Sequence, residues 1–409
     1  MNFITSIKIK NFFSIKDEID IDFKATQYNI ENNKERLFHF NDNYYNKVIS
    51  FYGANASGKT TILKAISFLS SVIANEQGDK FPISFKNKFA DSTSQSEIKI
   101  TFVMKIKDNF KKFQYKINFK SEKFENTGID NESLFEIKNN KAIVIFDRKQ
   151  NTIKNVAENI KKSIFADLNS SKSFFTEFEK FEETGIIRQI RTFFKYITAA
   201  SNISEYKTKT GTNSYDEETL GVLLKDKNKD NSLKNDLTIF LLSFFNSIGL
   251  DIEKIEPKFN DEVEGEKFLR IDIYHKINDI EPLEFKFESD GTQMLMKILL
   301  DIFMIKISNS ILIIDEFDSI IHPMLMPILI NLLIKNDIQI IYSTHNIYNM
   351  KFLQNDEIFL IEKDTKHATT IKPVKKDENI KGYENLLTHY ENGHLGGMPS
   401  IENIITKIF

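Results

Sequence analysis

The sequence has no cysteine and no tryptophan, and arginine supplies only five of its 55 basic residues. Without cysteine there is no thiol catalysis, no cysteine-bound metal and no disulfide framework. The 55 basic residues nearly balance 58 acidic ones, which disfavours a general nucleic-acid coat but allows local basic patches. A length of 409 residues predicts two or three domain-sized units, with the 37 phenylalanines filling their cores.

Signals for export or membrane insertion are missing as well. Residues 1–23 alternate apolar and charged side chains, whereas a signal peptide needs a continuous apolar stretch. The longest uncharged stretch, 319–334, is barely long enough to span a membrane, and it contains two prolines, a histidine and an asparagine. We therefore predict a cytoplasmic protein without membrane contact.

Strand and helix patterns are concentrated at the two ends of the chain. An apolar run at 47–52 ends at a glycine and leads into a helical pattern at 60–74, and further strands and helices cover 288–361. Between these ends, 97–119 predicts an antiparallel hairpin and 153–250 is polar and largely helical. The patterns predict one α/β domain opened by an insertion. The predicted segments are 1–90 and 281–375 for the two parts of that domain, 91–280 for the insertion and 376–409 for a tail.

A glycine-rich loop stands between the first apolar strand and its helix. Residues 53–60 match the pattern GxxxxGK[ST], in which glycines let backbone amides surround a phosphate with no Cβ in the way. The N-terminus of the following helix faces the same anion. Lys59 is predicted to reach the β- and γ-phosphates of ATP, and the Thr60 hydroxyl to bind Mg²⁺. The predicted nucleotide-binding residues are Gly53, Ala54, Asn55, Ala56, Ser57, Gly58, Lys59, Thr60 and Thr61.

Two carboxylates follow the apolar run at 311–314. Such a run is typical of a fully buried parallel strand, and ligands of such sheets lie at the carboxyl ends of the strands. We expect Asp315 to hold Mg²⁺ and Glu316 to be catalytic, polarising the water that attacks the γ-phosphate. Solvated acids also end strands in many α/β proteins, but the glycine-rich loop upstream favours the catalytic interpretation.

Two further motifs surround the acidic pair in the sequence. Ser289, Gly291 and Thr292 open an apolar helix, where small and hydroxyl residues are first of all a helix cap. His345 follows the strand at 338–342 and is predicted to be catalytic, through a hydrogen bond to the γ-phosphate or to the attacking water. A local helix cap is the competing interpretation of His345. His322 either lies near a dimer interface or shapes a turn, and the sequence leaves both roles open.

In chain order these motifs resemble the ABC-type ATPase superfamily, and more narrowly the OLD-like, RloA-type AAA ATPases of bacterial defence loci. The narrower resemblance depends on the opening residues 7–12, the string from Asp315 to Pro323, the strand 356–363 and the glycine string 390–399. It implies a P-loop NTPase α/β sheet with flanking helices and an inserted mixed lobe. It also implies an ATP-hydrolysing regulatory ATPase with ATP and Mg²⁺ as cofactors.

The resemblance further implies a homodimer or higher homo-oligomer that sandwiches the nucleotides. In such an assembly Ser289, Gly291 and Thr292 of one chain contact the γ-phosphate bound to the other. The implied biological role is anti-phage defence or abortive infection, with a separately encoded nuclease or other effector. Nucleic acid would be contacted only indirectly.

The sequence departs from the superfamily pattern at two points, and other functions stay open. Asp290 replaces a glycine of the transporter-type signature, and no glutamine-loop residue is identified. An SMC-like DNA-repair ATPase is the main alternative, although the insertion has no heptads for a long coiled-coil arm. A transport-coupling subunit is a further alternative. A fused nuclease is disfavoured, since only about 45 residues follow the strand at 357–363.

Overall fold

The computed structural model divides the chain into two compact units. The first comprises Met1–Thr210 with Asn309–Phe409, and the second comprises Gly211–Ser308. The predicted segment boundaries at 90, 280 and 375 differ from the boundaries between these two units, and the predicted segments stay a prediction. The structure describes residues 1–74, 85–91, 93–122, 125–157, 170, 172–178, 185–200, 230–250, 252–263, 266–275, 283–284, 288–374, 388 and 390.

Strands make up much of the described part of the chain. Several of them coincide with the alternating and apolar runs of the sequence near its two ends, whereas the strands at 37–40 and 43–46 were not predicted. The strands of this part are β1 Phe3–Lys10, β2 Ile19–Asp22, β3 Leu37–Phe40, β4 Asn43–Asn46, β5 Val48–Tyr52, β6 Ser96–Ile106, β7 Asn109–Glu122, β8 Glu125–Lys138, β9 Lys141–Lys149, β10 Thr152–Val156, β11 Thr198–Ala200, β12 Ile252–Val263, β13 Glu266–His275, β14 Leu283–Glu284, β15 Leu312–Ile314, β16 Ile340–Ser343, β17 Ile358–Lys363 and β18 Thr369–Pro373.

The longer α-helices form where apolar residues recur at helical spacing. None of those in the described part of the chain is both long and apolar enough to cross a membrane. They are α1 Gln27–Asn32, α2 Lys59–Ala74, α3 Phe174–Phe178, α4 Ile186–Lys195, α5 Asp230–Ser247, α6 Asp290–Ser308, α7 Phe317–Ile320 and α8 Met326–Lys335.

Two large sheets organise the first unit. One has six strands in the order β11-β15-β16-β5-β17-β18, and all its neighbours are parallel except the last pair. The other has seven strands in the order β10-β9-β8-β7-β6-β1-β2, all antiparallel. In the parallel sheet β16 lies between β5 and β15, so the carboxyl ends of all three strands meet at one edge. This is the α/β sheet of a P-loop NTPase.

Helix α2 forms the centre of the core of the first unit. It is buried on most of its surface, and its apolar side chains belong to one cluster with residues of both sheets. Phe68 of α2, for example, packs against Phe119 of β7 with ring centroids 5.5 Å apart. A helix that is apolar on nearly all sides is expected to be buried in this way. The loop at its N-terminus is therefore attached to a helix that is packed between both sheets.

The second unit contains a three-stranded sheet, β12-β13-β14, and the helices α5 and α6. Strand β12 was not predicted, and neither were β10 and β11, which overlap the stretch at 153–250 that was expected to be helical. Helices α5 and α6 are in contact through Phe240 and Phe303, whose ring centroids lie 5.8 Å apart. Helix α6 begins with the signature-like residues.

Candidate functional site

The glycine-rich loop lies between the end of β5 and the start of α2, as the sequence predicts. Gly58 has a φ of +115°, and a Cβ there would lie 2.7 Å from Thr369 Cγ2 and 3.0 Å from Ser14 Oγ. A Cβ at Gly53 would lie 2.9 Å from Ser57 Oγ and would also meet the backbone of Ile361. Since any side chain would collide with packed neighbours, both positions require glycine.

Lys59 is a buried cation at the first position of α2, only 4% exposed. Its Nζ donates hydrogen bonds to the carbonyl oxygens of Gly53 at 2.9 Å and Ala54 at 3.0 Å, so the side chain folds back over its own loop. Burial lowers its pKa to about 8, and the nearby carboxylates of Asp315 and Glu316 act against that shift. A cation that is costly to bury is stabilised by an anion beside it, which favours phosphate binding here.

Ser343, at the end of β16, joins the two consecutive acids. Its hydroxyl donates to Oδ1 of Asp315 and accepts from the backbone N–H of Glu316 at 2.8 Å. Asp315 is buried, whereas Glu316 is exposed and has left-handed backbone angles, φ 50° and ψ 53°. The two carboxylates therefore have different surroundings although they are neighbours in the sequence.

Asp318 and His345 lie at the same edge of the sheet. Oδ1 of Asp318 accepts from the hydroxyl of Thr344 and from the backbone N–H of His345 at 3.1 Å. Burial, and then the charge of Lys59, lower the pKa of His345, whereas three carboxylates oppose this. These carboxylates are those of Asp318, Glu316 and Asp315, and they also oppose the lowering of the pKa of Lys59.

The structure thus brings together the residues predicted at three of the four motifs. Sequence reasoning missed Ser343 and Asp318, which hold the predicted residues in place. The only signal for Ser343 was a polar residue at the end of a neighbouring strand. The only signal for Asp318 was a polar residue on the first turn after the two acids. His322, left open between two roles, is exposed, and its Nδ1 accepts from the N–H of Met324 at 3.3 Å, which shapes the turn before α8.

The residues of the loop fit a nucleotide phosphate and its Mg²⁺. The buried hydroxyl of Ser57 has no hydrogen-bond partner in the described part of the chain. Thr60 is partly exposed at the first turn of α2, whereas the hydroxyl of Thr61 lies 3.0 Å from Ser14 Oγ. Among the described residues no group of three acidic, histidine or cysteine side chains stands ready to hold a metal alone. Mg²⁺ usually takes one or two protein ligands and completes its shell with phosphate oxygens and water, which Thr60 and Asp315 suit.

The signature-like residues lie at the start of α6 in the second unit. Ser289 Oγ accepts from the N–H of Thr292 at 3.2 Å and shares a hydrogen bond of 2.8 Å with the Thr292 hydroxyl. Gly291 has open space where a Cβ would stand. These contacts are those of a local helix cap. Contact of these residues with a second copy's nucleotide stays a prediction.

Comparison with known families identifies the fold and the broad class of the chain. A family model described as an AAA domain, putative AbiEii toxin, of a type IV TA system matches residues 48–350. The chain belongs to this family. The match begins at β5 and ends after His345, so it takes in the glycine-rich loop, the acidic strand end and the histidine. The protein accordingly belongs to the AAA class of ATPases. No relative among curated proteins matches the chain.

Solved structures of similar shape are distant in sequence. The SMC head domain from Thermotoga maritima has a TM-score of 0.42 at 13% identity, covering 91% of this chain and 99% of that one. An SMC head bound to the C-winged helix domain of ScpA has a TM-score of 0.48 at 13% identity, with coverages of 92% and 98%. The Smc head with an extended coiled coil from Pyrococcus furiosus has a TM-score of 0.42 at 14% identity, covering 96% of this chain and 100% of that one. Likenesses of this size carry no inference about function.

Proposed function

We propose that this protein is a Mg²⁺-dependent, ATP-hydrolysing regulatory ATPase. The observation that carries the proposal is the cluster at the carboxyl edge of the parallel sheet. There the charge of the buried Lys59, which follows the glycine-rich loop, acts on His345. The carboxylates of Asp315, Glu316 and Asp318 act on both side chains. Phosphoryl transfer depends chiefly on positioning and on stabilising charge, and these groups provide both.

Each residue has a distinct task in this proposal. Lys59 and the amides of the loop bind and orient the phosphates. Thr60 and Asp315 hold Mg²⁺, which when bound neutralises charge on the phosphate oxygens. Glu316 accepts a hydrogen bond from the attacking water, and His345 contacts the γ-phosphate or that water.

The different surroundings of the two acids support their different roles. Asp315 is buried and held by Ser343, which suits a fixed ligand of a metal ion. Glu316 is exposed and has left-handed backbone angles, and its N–H donates a hydrogen bond to Ser343. A carboxylate that accepts a hydrogen bond from water must be reachable from solvent, and Glu316 is.

We propose further that two copies sandwich the nucleotides, with Ser289, Gly291 and Thr292 of one copy facing the γ-phosphate of the other. The support is the exposed first turn of α6, whose backbone amides and helix dipole favour an anion. Asp290 in the same turn is unfavourable for that contact unless Mg²⁺ or lysine offsets its charge. Closure and opening of this dimer would be the regulatory output.

For the biological role we propose anti-phage defence or abortive infection in the cytoplasm, together with a separately encoded nuclease or other effector. The support is the description of the matched family, a putative toxin of a type IV TA system, and the resemblance of both chain ends to OLD-like, RloA-type ATPases. Contact with nucleic acid would come through the effector.

The enzymatic proposal is tested with wild type, Glu316→Gln and Lys59→Ala. We expect wild type to hydrolyse ATP only with Mg²⁺, Glu316→Gln to bind ATP without hydrolysing it, and Lys59→Ala to lose binding. Light scattering with and without ATP measures whether Glu316→Gln accumulates as a dimer. Absence of both ATP binding and hydrolysis in wild type would overturn the enzymatic proposal, and a monomer at every ATP concentration would overturn the dimer.

The biological proposal is tested by phage challenge of cells that carry the complete locus. We expect protection with the wild-type gene and none with the Glu316→Gln gene. Equal phage titres in all strains would count against defence. Loss of DNA-damage resistance on deletion of the gene would instead favour the SMC-like alternative, and neighbouring permease genes would favour transport.

A further inference from the structure

A chain of three hydroxyl groups lies behind the glycine-rich loop. The hydroxyl of Thr369 is 2.9 Å from the carbonyl oxygen of Ser57 and 2.7 Å from Ser14 Oγ. Ser14 Oγ is in turn 3.0 Å from the hydroxyl of Thr61. This chain of hydroxyl groups therefore connects the loop before Lys59 to the first turn of α2 after it.

Residues far apart in the sequence form this connection. Thr369 begins β18, is 2% exposed, and its backbone N–H donates to the carbonyl oxygen of Ser14 at 2.9 Å. Ser14 lies in the turn between β1 and β2. Thr369 is therefore buried beside the loop and anchored there through its backbone.

The direction of the hydrogen bonds follows from the chemistry of the groups. A carbonyl oxygen only accepts, so the single proton of the Thr369 hydroxyl goes to Ser57 O. The Ser14 hydroxyl then donates to Thr369, and Thr61 donates to Ser14. Hydrogen bonds that run in one direction along such a chain strengthen one another.

The hydrogen bond to Ser57 O determines the orientation of one peptide group. In a planar trans peptide the C=O of Ser57 and the N–H of Gly58 point in opposite directions. With the carbonyl held toward Thr369, the Gly58 N–H points to the other side of the loop. The same Thr369 side chain occupies the space that a Cβ at Gly58 would need.

We propose that Thr369 and Ser14 are positioning residues for the phosphates of ATP. They hold the peptide between Ser57 and Gly58 with its N–H directed at the anion. Through Thr61, the same hydrogen-bonded hydroxyl groups also hold the first turn of α2. This inference rests on the proposed nucleotide-binding function. Neither residue touches the nucleotide, so both act through the loop.

The test compares Thr369→Val, which keeps the shape but loses the hydroxyl, with Thr369→Ser, which keeps the hydroxyl. Ser14→Ala removes the second member of the chain at a half-buried position. Thr370→Val is the matched control, because Thr370 is the next residue of the same strand and its side chain is exposed. Three quantities are measured: the Kd of a fluorescent ATP analogue, the KM and kcat for ATP, and hydrogen exchange of amides 57–62 in nucleotide-free protein.

For Thr369→Val we expect Kd and KM to rise about tenfold, as expected for one lost hydrogen bond of about 1.4 kcal/mol, with kcat changed by less than about twofold. Exchange of amides 57–62 should accelerate in the same variant before any ATP is added. Ser14→Ala should shift the same quantities in the same direction, whereas Thr369→Ser and Thr370→Val should stay close to wild type.

Wild-type binding and exchange in Thr369→Val would overturn the inference, and so would equal losses in Thr369→Val and Thr370→Val. If Thr369→Val does not fold, Ser14→Ala decides, and unchanged Kd and exchange in that variant overturn the inference. Absence of ATP binding in wild type would instead refute the proposed function, so the two failures are distinguishable.

Discussion

Removal of one buried hydroxyl is expected to impair hydrolysis more than it impairs folding. Ser343→Ala deletes the donor to Asp315 and the acceptor for the N–H of Glu316. Asp315 then loses the contact that fixes its carboxylate, and the left-handed backbone of Glu316 loses its support. Both acids are assigned to hydrolysis, so kcat should fall together with the affinity for Mg²⁺.

The size of the effect follows from the contacts that are lost. A hydrogen bond to a charged group contributes about 1.5–3 kcal/mol, which corresponds to about 10–150-fold in rate if it is fully used in the transition state. The bond to the N–H of Glu316 is between neutral groups and adds about 1 kcal/mol. We therefore expect kcat of Ser343→Ala to fall at least about tenfold.

The assay is steady-state ATP hydrolysis over a Mg²⁺ titration. Ser310→Ala is the matched control, since Ser310 is equally buried, donates to the carbonyl oxygen of Phe193 at 3.0 Å, and lies just before β15 at the opposite end of the strand. It should lose similar stability and keep its kcat. Equal kcat values for Ser343→Ala and Ser310→Ala would refute the reasoning.

Three further predictions concern other parts of the first unit. The pKa of His345 is lowered, mainly by burial, so the ring is neutral at pH 7; hydrolysis should be lost only as the pH falls below the ordinary histidine range, and an acid limb near pH 7 in a pH–rate profile would contradict this. Gly58→Ala should weaken ATP binding at least about tenfold in a fluorescence titration, because its Cβ would collide with Thr369, and wild-type affinity would contradict the geometry. Arg36→Met leaves the buried carboxylate of Glu357 without its bidentate partner and should cost about 3–5 kcal/mol in urea unfolding, whereas addition of Glu357→Leu should restore part of the loss.

Local sequence patterns predicted the secondary structure around the candidate site because that site depends on short motifs. The strand, glycine loop and helix at 47–74 are confirmed as β5, the loop and α2. The apolar run at 311–314 is confirmed as β15, a buried strand whose last residue precedes Asp315. A phosphate loop needs glycines, a lysine and a helix start within eight residues, so its pattern is visible without any tertiary contact.

The irregular middle of the chain was harder to predict. Strand β11, with the sequence Thr-Ala-Ala, has only three residues and no alternation, and it exists because it pairs with β15 in the parallel sheet. Strand β12 pairs with β13 over most of its length. Its run of charged residues and a proline hid this strand, since cross-strand partners decide strand formation more than intrinsic propensity does.

By itself the sequence determined where the strand, the glycine-rich loop and the helix of the candidate site lie, since those motifs are contiguous in the chain. It also singled out the residues that are proposed to bind a phosphate and a metal ion. Only the tertiary structure decided that β16 lies between β5 and β15 and brings Ser343 and His345 to the acids. The same holds for Thr369, which reaches the loop from 312 residues further along the chain. The physical reason is that a hydrogen bond of about 3 Å depends on the packing of whole sheets, which no local pattern encodes.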